Sequence, residues 1–103
     1  MLPKPNRLPS SKIRTVMRSG KRLSNVNLQL IFMPNALDVS RFAFIVSTSV
    51  DKRATVRNSI KRLLRQDVRA LLSKLKRNID AVVIARSKHS ISVEELLHLA
   101  DIL

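Results

Sequence analysis

Between Lys52 and Arg77 the apolar residues recur with the period of an α-helix, and this one segment limits what the rest of the chain can build. Val56, Ile60, Leu63, Leu64 and Leu71 share one helical face. A single apolar stripe on a long helix has to lie against another layer. Three strand-like segments can supply that layer. Residues 24–33, SNVNLQLIFM, alternate, with Val26, Leu28, Leu30 and Phe32 on one side and Asn25, Asn27, Gln29, Ile31 and Met33 on the other. Residues 41–48, RFAFIVST, are apolar nearly throughout, the pattern of a central strand, and residues 79–86, IDAVVIAR, read as a third strand. Pro34-Asn35 ends the first strand, and the short connection that follows predicts antiparallel pairing of the first two.

Two shorter helices complete the pattern. Ser10 or Ser11 can cap a helix running to Ser19, with Ile13, Val16 and Met17 as its stripe. Gly20, the only glycine, stands where a C-cap needs positive φ. Ser92 to Glu95 fits a capping box, with Ile91 and Leu96 placed as a hydrophobic staple, and Leu96, Leu97, Ala100 and Leu103 make the closing helix amphipathic. The order α-β-β-α-β-α predicts a two-layer α/β sandwich, a small mixed sheet with helices on one face. Pro3, Pro5 and Pro9 favour an extended arm over residues 1–8, leaving residues 9–103 as one domain.

Charge decides what such a domain is for. Lys and Arg total 20 against 7 Asp and Glu, a formal net charge of +13, which a polyanion would relieve. Residues 52–77 hold ten of those cations and one acid, Asp67. Arg57, Lys61 and Arg65 stack at i, i+4 and i+8, with Asn58, Arg62 and Arg69 flanking them, on a face expected nearly opposite the apolar stripe. Like charges at that spacing destabilise an isolated helix by roughly 0.2–0.5 kcal/mol per pair. A merely solvated helix would interleave Glu; here the repulsion is left for phosphates to neutralise, and Arg grips phosphate with a two-pronged hydrogen bond.

Other chemistries find little support. With no cysteine there is no disulfide or thiolate metal site, which suits the cytoplasm. Met1 to Arg7 contain no apolar core of a secretory signal, and no apolar run is long enough to span a bilayer. His89 and His98 lack metal-ligand spacing, and Ser47, Ser49 and Ser59 lack a positioned His-Asp pair. Glu94 and Glu95 diverge on a helix, and a lone glycine makes no phosphate loop. No metal site and no catalytic residue is expected in the protein itself.

The residue order of the basic helix also carries a resemblance. ATVRNSIKRLLRQ, Ala54 to Gln66, is similar to the Arg-Asn motif of the ribonuclease P protein family: Ala54, Arg57, Asn58, Lys61, Arg62, Arg65 and Gln66 match it at fixed spacing. RLPSSKIRTVMRSG, residues 7–20, resembles that family's first helix and closing glycine, and Asp80 to Arg86 resembles the strand after the motif helix. The resemblance implies a ribosomal-protein-S5-domain-2-like sandwich with a left-handed crossover. It further implies an accessory subunit of ribonuclease P, an endonuclease of tRNA processing whose RNA subunit is the catalyst and holds the Mg2+. The implied partners are that RNA and precursor tRNA, with no membrane and no required protein oligomer.

Roles follow by position. The resemblance assigns Arg53, Arg57, Asn58, Arg62 and Arg69 to the RNA subunit. It assigns Ile13, Met17, Gln29, Ile31, Lys61 and Arg65 to a cleft, between the motif helix and the sheet, for the 5′ leader of precursor tRNA. The chain departs from the family pattern in three places. Ile13 and Met17 stand where aromatics are usual, Ser49-Val50 replaces a basic pair, and Lys52 replaces a glycine. The competing expectations are a structural, ribosome-associated RNA-binding protein and a membrane-surface amphipathic protein, since the basic helix is apolar on its other face.

Overall fold

A computed structural model describes residues 2–88 and 92–103. The strands β1 (Lys21–Ser24), β2 (Leu28–Pro34), β3 (Arg41–Val46) and β4 (Ile79–Ala85) form one mixed sheet in the order β1-β2-β4-β3. β2 is antiparallel to both β1 and β4, and β3 is parallel to β4. The α-helices are α1 (Ser10–Ser19), α2 (Ala54–Leu71) and α3 (Glu94–Leu99). The α/β class stands, with one strand more than the sequence pattern predicts.

The extra strand comes from a turn hidden inside SNVNLQLIFM. Asn25 Oδ1 accepts the Asn27 and Leu28 amides at 2.9 and 2.8 Å, and the Asn25 amide donates to the Leu28 carbonyl at 2.9 Å. An Asn side chain that mimics a backbone turn in this way breaks the strand in two. Val26, expected in the core, is left 86% exposed at the tip.

β2 and β3 do not pair, contrary to expectation, and β3 is an outer strand where a central one was expected. The strand between them is β4, in which all but Ile84 are buried. Residues 35–40 are long enough to pass over the start of β4, and their side chains fasten them there. Asn35 Nδ2 donates to the Val39 carbonyl at 3.1 Å and to Asp80 Oδ1 at 2.9 Å, and Ser40 Oγ accepts the Ile79 amide at 3.0 Å. A parallel β3–β4 pair requires a crossover, and α2 is that crossover.

Because β2 and β4 lie inside the sheet, both of its faces carry apolar side chains and both are packed against helices, the second one only in part. Leu28, Leu30, Phe32, Phe42, Ala81 and Val83 pack with Ile60, Leu64, Val68 and Leu71 of α2 and with Leu96 and Leu97 of α3. On the other face Ile31 and Val82 pack under Val16 of α1, with Ile13 and Met17 at the margin. Helices on one face therefore describes α2 and α3; α1 lies on the opposite face.

Several ends differ from expectation for local reasons. α1 takes Pro9, in an extended conformation, as its N-cap, with no side-chain cap from Ser10 or Ser11. Gly20 has φ −76°, so its freedom at positive φ is not used. What excludes a side chain is crowding: a Cβ would lie 2.6 Å from the Val16 carbonyl oxygen and 2.9 Å from both Ile31 Cγ2 and the Phe32 oxygen. Two of those atoms are backbone and cannot yield cheaply. Gly20→Ala is expected to lower stability by about 1–3 kcal/mol, read as a lower urea midpoint at unchanged slope.

α2 stops at Leu71 and continues only as a 3-10 turn, Leu72–Lys74. Within it Leu63 is 47% exposed, and Val68 joins Ile60 and Leu64 in the core at the i+4 spacing. The capping box before α3 is not formed. Asp67 of α2 does that work instead, its Oδ2 accepting the Val93 amide at 2.6 Å, while Ser92 Oγ reaches the Glu94 amide at 3.4 Å. Ile91, expected in the staple, lies outside the described residues. The N-terminal segment is not a free arm. Lys4–Asn6 form a 3-10 turn, Leu2 is buried, and the Leu8 amide donates to the Phe42 carbonyl at 3.0 Å, pairing the segment with the outer edge of β3.

Candidate nucleic-acid interface

The buried row Ile60, Leu64, Val68 and Leu71 fixes how α2 is rotated against the sheet. That setting leaves Asn58, Arg62, Gln66 and Arg69 exposed on the outward face. Arg57, Lys61 and Arg65 are half-buried on the flank beside the core, not opposite it as the sequence reading placed them. Among the described residues, no carboxylate is paired with Lys61, Arg62 or Arg65.

The start of α2 is organised by Asp51, whose side chain is only 6% exposed. Its carboxylate accepts Arg53 Nε at 3.1 Å and Nη2 at 3.0 Å, the Arg53 amide at 2.8 Å, and Lys88 Nζ at 2.7 Å. Hydrogen bonds from Arg53 and then Lys88 hold this carboxyl well below the usual carboxylate range. Arg57 Nη1 donates to the Asp51 and Lys52 carbonyls at 3.0 and 2.8 Å. One acid thus draws Arg53 and Lys88 together beside the first turn of α2. Arg53 is committed to that pair, though its side chain remains 70% exposed. Lys88 has no local signal in the sequence. It arrives because parallel pairing puts the ends of β3 and β4 side by side, Val46 opposite Ala85.

The expected cleft is divided by the sheet. Ile13 and Met17 are half-buried on α1, and Ile31 beneath them is 0% exposed, so Ile31 cannot be a floor. One row further along, Gln29, Ile84 and Ile45 are in register across β2, β4 and β3, and all three are partly exposed. With Ala43 they make an open apolar shelf beside α1. Lys61 and Arg65 belong to α2, on the other face, so the six expected residues do not line one groove. Arg65 alone reaches the outer edge of β3, where it lines a cavity of about 310 Å3 with Leu2, Arg7, Leu8, Phe42, Ala43 and Phe44. Phe44 was missed because residues 41–48 read as a buried central strand; an outer strand leaves its ring partly open.

Among the described residues no group of three or more His, Asp or Glu is placed to hold a metal ion. His98 is exposed, with Nε2 3.7 Å from Glu94 Oε1, and His89 lies outside the described residues. Ser47 and Ser49 share a hydrogen bond, and Ser59 Oγ donates to the Thr55 carbonyl at 3.0 Å. No helix among the described residues is long and apolar enough to cross a membrane.

Comparison with known proteins agrees with this geometry. A family model described as Ribonuclease P matches residues 2–101. The ribonuclease P protein component of Caldanaerobacter subterraneus is 35% identical over 96 residues, which is 85% of this chain and 82% of that protein. That of Syntrophomonas wolfei is 41% identical over 88 residues, 84% of this chain and 73% of that one. The solved RNase P protein of Thermotoga maritima superposes with a TM-score of 0.76 at 28% identity, covering 92% of this chain and 94% of that chain. Matches running nearly end to end mean that the chain belongs to the ribonuclease P protein family, as an accessory protein subunit of the endoribonuclease that matures tRNA 5′ ends.

Proposed function

We propose that this chain binds the catalytic RNA through the outward face and first turn of α2, and the 5′ leader of precursor tRNA along the shelf beside α1, with the Lys61–Arg65 flank of α2 at its margin. The observation that carries this reading is a cationic helix whose rotation is locked by its core while Lys61, Arg62 and Arg65 have no carboxylate partner among the described residues. Arg53, Arg57, Asn58, Arg62 and Arg69 are assigned to the RNA subunit. Ile13, Met17 and Gln29 are assigned to the leader, with Ile45 and Ile84 taking the place of Ile31 as floor, and Lys61 and Arg65 as its cationic margin. Without aromatic rings at Ile13 and Met17, leader binding in this reading leans on charge more than on stacking.

The described residues do not fit a Mg2+ site, so the metal is assigned to the RNA and no step through it is assigned to the protein. The protein's part is electrostatic and positional. It lowers phosphate repulsion as the RNA folds and holds the substrate in register. The work is assigned to the cytoplasm.

Reconstitution tests this. Added protein is expected to lower the Mg2+ concentration needed for the cognate RNA subunit to cleave precursor tRNA. A cleavage rate and Mg2+ dependence that never respond to protein would sink the reading. Tight binding to ribosomal RNA with indifference to a tRNA leader would point to a structural role instead.

A further inference from the structure

The cavity at the outer edge of β3 is lined by no residue of α1 and does not belong to the outward face of α2. Its volume, about 310 Å3, is at the lower end of the roughly 300–1,000 Å3 typical of small-ligand sites. Three kinds of chemistry meet in it. The first is cationic: Arg7 from the N-terminal segment and Arg65 from α2 are both in its wall. Arg7 spends its Nε on the Leu2 carbonyl at 3.0 Å, and neither guanidinium is paired with a carboxylate among the described residues. The second is aromatic: Phe44 is partly buried against the core, lines the cavity, and is held in place by stacking on buried Phe42, with ring centroids 6.4 Å apart and planes 14° from parallel.

The third is backbone. The Leu8 amide bonds the Phe42 carbonyl on the outer edge of β3. Successive residues of a strand turn their N–H and C=O groups to alternate edges, so Phe44, two residues on, presents both groups to that same edge. The N-terminal segment pairs at Phe42 and leaves the edge beside Phe44 to the cavity.

An anion grip, a π-face and one donor–acceptor pair fit a single nucleotide: phosphate, base face and base edge. An acidic peptide adding as a strand would use the backbone edge and the cations, but it has no use for an aromatic ring in the wall. We propose that this cavity is a subsite for one unstacked nucleotide of single-stranded RNA, its base on the Phe44 ring and a flanking phosphate between Arg7 and Arg65. The proposal rests on the reading of this chain as RNA-binding and adds to it a position that recognises a base.

The test uses the full chain and end-labelled pentauridylate, followed by fluorescence anisotropy. Phe44→Leu is expected to weaken binding about tenfold, within the range that loss of one base–aromatic stack produces. With a pentamer of abasic ribose phosphates, wild type should bind correspondingly less well and Phe44→Leu should cost nothing further. Arg7→Gln should weaken both oligomers by about threefold, as loss of one phosphate contact does. Affinity for the RNA subunit should stay within about twofold of wild type for both variants.

A Phe44→Leu penalty that persists on the abasic pentamer overturns the base assignment. So does hexaglutamate displacing pentauridylate as well as a second pentamer does. Should Phe44→Leu lose its fold by circular dichroism, Arg7→Gln decides: unchanged oligomer affinity overturns the subsite. The pentamer assay contains no RNA subunit, so a chain that fails in reconstitution sinks the proposed function and leaves this measurement readable.

Discussion

Asp80→Asn is expected to destabilise the fold by about 2–3 kcal/mol, a loss on the order of 10 °C or more in Tm for a domain of this size. Asp80 stands where β3 and β4 begin to run in parallel. Arg41 grips it with two prongs, Nε to Oδ1 at 2.9 Å and Nη2 to Oδ2 at 2.7 Å, and Asn35 Nδ2 adds a third hydrogen bond at 2.9 Å. The carboxylate therefore ties β3, β4 and the loop after β2 in one place. Replacing it with an amide leaves one acceptor oxygen for three donors and a guanidinium without its counter-charge. Breaking a fully enclosed pair costs about 3–5 kcal/mol; the figure here is reduced because the Arg41 side chain keeps 18% exposure.

Acid should erase the difference. Burial pushes the Asp80 carboxyl up, but hydrogen bonds from Arg41 and Asn35, with the charges of Arg41 and Lys12, outweigh it and hold the folded value below that of the unfolded chain. A group that ionises more readily when folded contributes stability above its unfolded pKa of about 3.9 and loses it as pH falls through the folded value. Urea midpoints of wild type and Asp80→Asn should be well separated at neutral pH and converge as pH falls below the unfolded value and through the lower folded one. A gap that stays constant into strong acid would show that the pair is not its source.

What the sequence made legible is what local periodicity controls. The α2 stripe is visible because Ile60, Leu64 and Leu71 meet the sheet at helical spacing, and the same arithmetic puts Asn58, Arg62 and Arg69 outside. The seven-position motif from Ala54 to Gln66 named the family that the comparisons then matched. What stayed hidden depends on contacts between distant residues. Asn35 holding Asp80, 45 positions away, lets the chain step over the place that β4 fills, and no alternation pattern encodes that step. Ile31 alternates with Leu30 as an outward residue should, yet it is buried because α1 lies on the second face. Asp67, read as the lone acid of a basic helix, is a cap for α3, and Asp51, without a role in the sequence reading, gathers Arg53 and Lys88. In a chain of net charge +13, those few acids are placed to build structure.

Arg62→Ala is expected to weaken binding of the RNA subunit by about tenfold or more while leaving stability within about 0.5 kcal/mol of wild type. Arg62 is exposed on the face of α2 turned away from Ile60 and Leu64, and its guanidinium pairs with no carboxylate among the described residues. Its removal therefore takes away a phosphate contact and little else, and the slope of log K against log salt should shrink by about 0.7–0.9 for each phosphate released. Arg62→Lys should restore the slope but not the whole affinity, because an ammonium cannot make the two-pronged contact. Arg57→Ala should resemble Arg62→Ala in affinity yet also cost stability, since Arg57 holds the Asp51 and Lys52 carbonyls. Lys61→Ala and Arg65→Ala should mainly reduce the advantage of a substrate that carries a leader over one that lacks it. Filter binding of the RNA subunit, set beside substrate affinity with and without leader, separates the two classes. Four equal losses in both measurements would mean that α2 offers one undifferentiated cationic surface, and the division between its outward face with its first turn and the Lys61–Arg65 flank would have no functional meaning.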